Sequence, residues 1–470
     1  MDRILIELMD RPACQRVHEA TLKLLAEVGV DVKHKEARAL LSSSGAVVDG
    51  ERVRLAGELV EEALATVEHS TVVEGRGGDG AIVLENGRTY YGTGSDVLYY
   101  HDPVERRRRR VRLADVEDMA SLCERLPNMD FVMSMGLPED VPQVVDDLAP
   151  FAAMLKGTRK PLLVATRTAH FFSRMLEMAD LCGAAKSFAI YGMPAPPLKH
   201  DYEAVEKLLG CARLGIPIVY GPVPNPGTTG PCSLAGVNLV GNAEVLSGLV
   251  ISQLAAPGAS FVYGANAVGM DMRTGAASYC VPEMYANQLL GCDMARYYGL
   301  PSFGYGGCSD SKLLDEQCSL EAGLTLALAA LSGCTLLHDV GYLEAGLQSS
   351  CESIVLGDEL IGFVDSALQH VASGEEELEL ALEEVRAIGP GGHFLGRPLT
   401  RKNVRTWWHP ALLDQTVFDR WQAQGGRTLG QRAHERAMDL RGQEPVFVLD
   451  IRTQGKLDRM VEEAATAAIS

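Results

Sequence analysis

Tyrosine recurs where a catalytic residue would be sought in this chain. Eight short apolar runs, at 90–94, 131–136, 161–166, 188–193, 217–222, 260–265, 301–306 and 335–340, end in side chains able to do chemistry. These are Tyr91, Thr93 and Ser95, then Ser134, Thr166, Tyr191 and Tyr220, then Tyr263 with Asn266, Phe303 with Tyr305, and His338 with Asp339. Carboxylates are sparse among them and no triad of His and carboxylate ligands is evident, so no metal site is expected. A tyrosine-rich mouth suits a quaternary ammonium, because such a cation donates no hydrogen bond and is held mainly by aromatic faces. Any one tyrosine could equally be a packing residue with a satisfied hydroxyl; the repetition of the type is what points to a cation cage. Substrate contacts are therefore expected from Tyr91, Tyr191, Tyr263 and Tyr305.

His338 follows the apolar run Thr335-Leu336-Leu337 and is the catalytic candidate. Neighbouring strand residues face opposite sides, so only one of His338 and Asp339 is expected to point inward. Asn266, Arg273, His393 and Phe394 are further substrate-binding candidates, with Arg273 and His393 offering charge to a substrate carboxylate. Loop solvation and structural ion pairing compete with those roles. Lys160 lies before its run and Lys312 in a loop, which gives Schiff-base chemistry little support.

Something must hold these run ends together. Each run is followed by a helical stretch, and eight such alternations with buried-type strands predict a closed (β/α)8 TIM barrel of the α/β class. A doubly wound sheet would carry a GxGxxG turn, but Gly92-Thr93-Gly94 continues to Val97 where the third glycine belongs. The expected division is an N-terminal helical and short-strand extension over 1–89, the barrel over 90–371, and a C-terminal helical extension over 372–470. In the first part, Val17, Leu24, Leu25 and Val28 form a helical stripe that Gly29 would end. Val116, Met119, Ala120 and Cys123 form another stripe, and so do Leu320, Leu324, Leu328 and Leu331. The last helix carries Leu457, Met460, Val461, Ala464 and Ala465 on one face, to pack on the barrel or on a second subunit. A homo-oligomer is expected.

Composition narrows the function. With 470 residues, 47% of them hydrophobic, the chain can bury a large core. Its net charge of −19 argues against nucleic acid as a partner. The run from Arg106 to Arg110 reads as a solvated loop or as a docking patch for an acidic protein. Eleven cysteines without a CxxC pair suit a reduced, cytoplasmic setting. The uncharged stretch 245–270 is interrupted by Gln253, Pro257, Gly258 and Gly264, which predicts a buried helix and a strand and no membrane span.

Several stretches resemble the trimethylamine/glycine betaine corrinoid methyltransferase family, the MttB-like superfamily. They are YYGTGSD (90–96), NAEVLSGLV (242–250), MDMRTGAASYCVPE (270–283), the segment 295–312, LHDVGYLEAGLQSS (337–350) and GPGGHFL (389–395). The resemblance implies a barrel that moves a methyl group from a methylated amine to the Co(I) of a corrinoid (cobalamin) carried by a separate partner protein. One branch of the family uses pyrrolysine. This chain has only standard residues, which implies the branch acting on quaternary amines such as glycine betaine or a related betaine. No DxHxxG cobalamin-binding motif occurs in the chain. A non-catalytic methylated-amine sensor and a barrel lyase are the alternative readings.

Overall fold

The computed structural model describes residues 4–78, 80–264, 267–368 and 374–467. Seven parallel strands stand side by side: Tyr90–Tyr91, Leu162–Ala165, Phe188–Gly192, Ile218–Tyr220, Phe261–Gly264, Ser302–Tyr305 and Leu336–His338. The strand Tyr90–Tyr91 pairs with Leu336–His338, which carries the sheet round towards its start. Closure is completed by isolated parallel bridges from Gly92 to Phe131 and from Val132 to Leu162. All eight expected runs thus contribute to a closed (β/α)8 barrel, although 131–136 gives bridges and no full strand. The cause is local. The Thr93 hydroxyl donates to the Met133 carbonyl and accepts from the Met133 amide, taking the place of ladder bonds.

Alternation sorts the strand residues. Phe131, Met133, Leu163, Ala189, Tyr191, Val219, Val262, Phe303 and Leu336 form one buried cluster, the barrel interior. A hairpin of Ser70–Val73 and Ile82–Glu85 adds Val73, Ile82 and Leu84 to that cluster. It enters from the end where the strands begin: Glu68 bridges Ser260, Glu74 bonds Lys186, and Thr335 bonds the Glu85 carbonyl. The floor of the barrel is therefore plugged, and the other end carries the mouth.

Outside lies the sheath of helices. The helix Arg11–Glu27 is capped by Asp10 and stops before Gly29, whose φ is +75°. A Cβ at Gly29 would lie 2.2 Å from the Val53 carbonyl oxygen, so both the turn and the close approach require glycine. The N-terminal part is less helical than its sequence suggests, since Val30–Val32, Val47–Asp49 and Arg52–Arg54 form a small sheet between its helices. The helix Leu234–Ala255 is long and apolar enough to cross a membrane. However, 72% of its most apolar window is buried among the helices Arg11–Glu27, Gly57–Thr66, Tyr202–Leu214 and Pro282–Tyr298. The last helix, Ile451–Ala467, packs on the barrel helices Leu148–Gly157 and Phe172–Leu181, burying Leu457 and Ala464.

One expectation is overturned. The arginine run is not a loop: Arg107–Arg110 is a strand paired with Tyr99–Asp102. Three of its charges have partners nearby, Arg109 in Asp102 and Asp115, Arg108 in Glu344, and Arg110 in Glu139. On the helix Glu316–Leu331, the stripe of Leu320, Leu324 and Leu328 faces outward, 62%, 56% and 38% exposed. The buried face consists of Cys318, Ala322, Thr325, Leu326, Ala329 and Ala330, mostly small residues that let the helix lie close to the barrel.

Candidate functional site

The mouth gathers aromatic rings around His338. Its ring stacks on Phe303 at 4.0 Å between centroids and lies 5.1 Å from Tyr305 and 6.1 Å from Tyr191. Tyr305 stacks in turn with Tyr279 at 5.7 Å. Each ring has its own support. The amide and carbonyl of Tyr305 are clamped by the Gln288 side chain, at 2.9 and 3.2 Å. Tyr279 leaves the hairpin Gly269–Asp271/Ala276–Ser278, and its amide donates to Asp310 at 2.8 Å. Tyr342 begins the short strand Tyr342–Leu343, which pairs with Gln348–Ser349.

Two carboxylates join the rings. The strand ends at His338, and Asp339 follows with φ +72°, a left-handed turn that breaks the alternation. Both residues therefore face the mouth, against the expectation that only one would, and Asp339 Oδ1 stands 3.4 Å from His338 Nε2. Gly94 makes room: a Cβ there would lie 2.3 Å from both Asp339 Oδ1 and the Tyr342 ring. Burial, reinforced by Asp96, pushes the Asp339 carboxyl well above the usual range. Asp96 is also raised, chiefly by the protein around it, although its side chain is exposed. The exposed surface lines a partly open cavity. Burial likewise raises the hydroxyls of Tyr279 and Tyr342 well above 10, with Asp339 and Asp96 adding to it. His338 is shifted the other way. Burial lowers it to about 3, so its ring is neutral at pH 7, with Nδ1–H donating to the Gly304 carbonyl at 2.7 Å.

The expected site residues separate into groups. Tyr191, Tyr305 and His338 come together at the mouth. Tyr91 and Tyr263 do not, because their alternation places them on the outer wall. The Tyr91 hydroxyl donates to Asp365 on the helix Cys351–Leu368, and the Tyr263 hydroxyl to Asn242 at 2.9 Å. Arg273 sits at a hairpin tip, its side chain 89% exposed and paired with Asp271. His393 and Phe394 are exposed in the C-terminal extension beyond the helix Glu375–Ile388. Asn266 lies outside the described residues. Lys160 is tied to the Leu126 and Met129 carbonyls, and Lys312 is exposed and donates to the Asp310 carbonyl.

Sequence reasoning missed Tyr279, Tyr342 and Asp96 and left Asp339 out of the site. All four fall in the quoted stretches YYGTGSD, MDMRTGAASYCVPE and LHDVGYLEAGLQSS, which was the available signal. Among the described residues, no group of three or more His, Cys, Asp or Glu is placed to hold a metal ion.

Such a mouth, four tyrosine rings and two carboxylates around a neutral imidazole, is chemically suited to a small organic cation. Comparison with known proteins agrees in kind. The chain is 30% identical over 464 residues to a glycine betaine methyltransferase of Desulfitobacterium hafniense, covering 96% of this chain and 95% of that one. It is also 30% identical over 467 residues to the trimethylamine methyltransferase MttB of Methanosarcina thermophila, covering 95% of each. The crystal structure of the Methanosarcina barkeri monomethylamine methyltransferase matches its fold with a TM-score of 0.57 at 14% identity, over 93% of this chain and 89% of that one. The model of the family described as trimethylamine methyltransferase (MTTB) matches residues 3–465, and the chain belongs to that family of methyltransferases.

Proposed function

We propose that this chain moves a methyl group from a quaternary amine to a corrinoid carried by a separate protein, as a member of the branch without pyrrolysine. The observation that carries this is the ring of Tyr191, Tyr279, Tyr305 and Tyr342 with Asp96 and Asp339, a cation cage in composition. Glycine betaine or a related betaine is the first amine to test, because one relative is named for it.

The chemistry asks little acid–base work of the chain. A quaternary nitrogen that loses a methyl group leaves as a neutral tertiary amine, so no proton has to be delivered. His338, neutral and fixed through Nδ1, serves as a wall that orients the substrate and not as a proton carrier. The tyrosine faces hold the ammonium with one methyl turned to the open mouth, in line for displacement. Holding the cation too tightly would oppose a step that removes its charge, so the cage contributes orientation more than affinity. The corrinoid supplies the nucleophile, Co(I). Met193, Met272, Leu313 and Leu347, all exposed on loops that leave the strand ends, give the rim an apolar character that fits a macrocycle and its carrier.

The test is an anaerobic assay with reduced corrinoid protein and a panel of methylated amines, following methyl transfer spectroscopically. Turnover of a quaternary amine but not of trimethylamine is expected. Turnover of trimethylamine alone, or amine binding with no conversion by any corrinoid carrier, would overturn the proposal, and the second result would favour a sensor.

We also propose a cytoplasmic setting, in keeping with cysteines that are free among the described residues. Self-association is proposed through Leu320, Leu324 and Leu328, an exposed stripe of one helix face. A Leu324→Asp variant should show a lower mass by light scattering; an unchanged oligomer removes this face from the interface.

A further inference from the structure

The surroundings of His338 fix its tautomer. Nδ1 meets the Gly304 carbonyl at 2.7 Å, and a carbonyl oxygen only accepts, so Nδ1 carries the hydrogen. Nε2 is left as a lone pair. Opposite it, at 3.4 Å, stands Asp339 Oδ1, turned there by the left-handed backbone. An ionised carboxylate would set acceptor against acceptor between side chains only 5% and 4% exposed. A single proton removes that conflict and leaves the pair neutral as a whole.

The neighbours of Asp339 supply no positive charge. It is faced by Asp96 from the loop after Tyr90–Tyr91, by Tyr305 and Cys308 at the end of Ser302–Tyr305, and by Tyr279 and Tyr342. Among the described residues no lysine or arginine pairs with Asp339, and Lys207 bears on Asp96 without an ion pair between them. Burial first, then Cys308 and Asp96, hold the Asp339 carboxyl well above its usual range, in keeping with a bound proton. Tyr305 is a separate sign of a ligand. Its hydroxyl is buried, lies in the field of Tyr191, Tyr279 and Asp339, and has no partner among the described residues.

We infer that cation binding in the cage is coupled to one proton: the His338–Asp339 pair holds it in the free protein, and an entering quaternary ammonium drives it into solvent and replaces it as counter-charge to Asp339. This rests on a quaternary ammonium occupying the cage and adds what balances its charge. The proton rides on Asp339, and His338 stays neutral opposite it. Once the amine has lost its methyl group it is neutral, and the pair takes a proton back from water. The same exchange that admits the cation therefore lets the product go. No proton passes between chain and substrate, and the count over a full cycle is zero.

The experiment is titration calorimetry of the full chain with tetramethylammonium, repeated in buffers of different ionisation enthalpy so that protons are counted. About one proton released per cation is expected near neutral pH, with affinity rising about tenfold per pH unit. The rise levels off where the free chain itself ionises Asp339. Asp339→Asn should bind with no proton released and with affinity flat against pH. Asp96→Asn, at an exposed side chain, removes a neighbouring negative charge and should bring the levelling off to lower pH. Tetramethylammonium binding with no proton released overturns the inference and leaves the cage intact. Release that persists in Asp339→Asn overturns it too, as does, should that variant not fold, a levelling off that Asp96→Asn leaves unmoved. If tetramethylammonium binds at no pH, the cage is wrong and the inference falls with it.

Discussion

The inner and outer walls of the barrel carry the same residue type to different ends. On the outer wall, tyrosine hydroxyls are engaged: Tyr91 with Asp365, Tyr263 with Asn242, and Tyr220 with His200 at 2.6 Å. On the inner wall the Tyr305 hydroxyl has no partner among the described residues, although the ring is buried. A satisfied polar group fastens the sheath to the strands, while an unsatisfied one at a mouth awaits something the chain does not provide. The walls also differ in their carboxylates. Glu244, on the outer side, accepts from the Leu198 amide, and burial raises it to about 8.

That contrast can be broken or sharpened by measurement. The largest effect is expected at Glu244, as a change in stability. Below about 4.5 the carboxyl is protonated in both the folded and the unfolded chain, so it costs nothing. As pH rises towards about 8 the unfolded state ionises and the folded state keeps its proton, so stability is lost at up to about 1.4 kcal/mol per pH unit. Denaturant unfolding of native protein and Glu244→Gln across that range should show the variant gaining steadily, with amine affinity unchanged. Parallel curves would refute the buried, protonated state.

Next in size, Tyr305→Leu keeps apolar volume but removes an aromatic face. It should weaken binding of a quaternary amine by about 2 kcal/mol, roughly 30-fold, with a small change in melting temperature. Equal affinity would remove Tyr305 from the cage. The smallest effect on amine affinity is expected at Tyr263 on the outer wall. Tyr263→Phe strands the Asn242 carbonyl and should cost about 1–3 kcal/mol of stability while leaving affinity untouched. A loss of affinity there would erase the distinction between the walls.

The barrel was legible because buried parallel strands are written as apolar runs, and the runs are where the strands and bridges form. The side-chain directions were less legible. Barrel strands here span two to five residues and then turn, so one left-handed residue such as Asp339 redirects a carboxylate that alternation assigns elsewhere. Tyr279 and Tyr342 lie beyond the barrel strands, where no period marks them. The setting of the leucine stripe of Glu316–Leu331 was not legible for another reason. Helical spacing identifies an apolar face without saying what covers it, and here the face of small residues is the buried one.

The hairpin that fills the barrel floor has a kinetic meaning. With Val73, Ile82 and Leu84 sealing one end, the barrel is a well with a single opening. On the proposed function, substrate, methyl acceptor and spent amine would share that opening, in sequence. An acceptor protein seated over the mouth would also block the exit, so each cycle would wait for it to lift off. Turnover would then be bounded by the acceptor's residence time, and a carrier that docked too well would inhibit the reaction it serves.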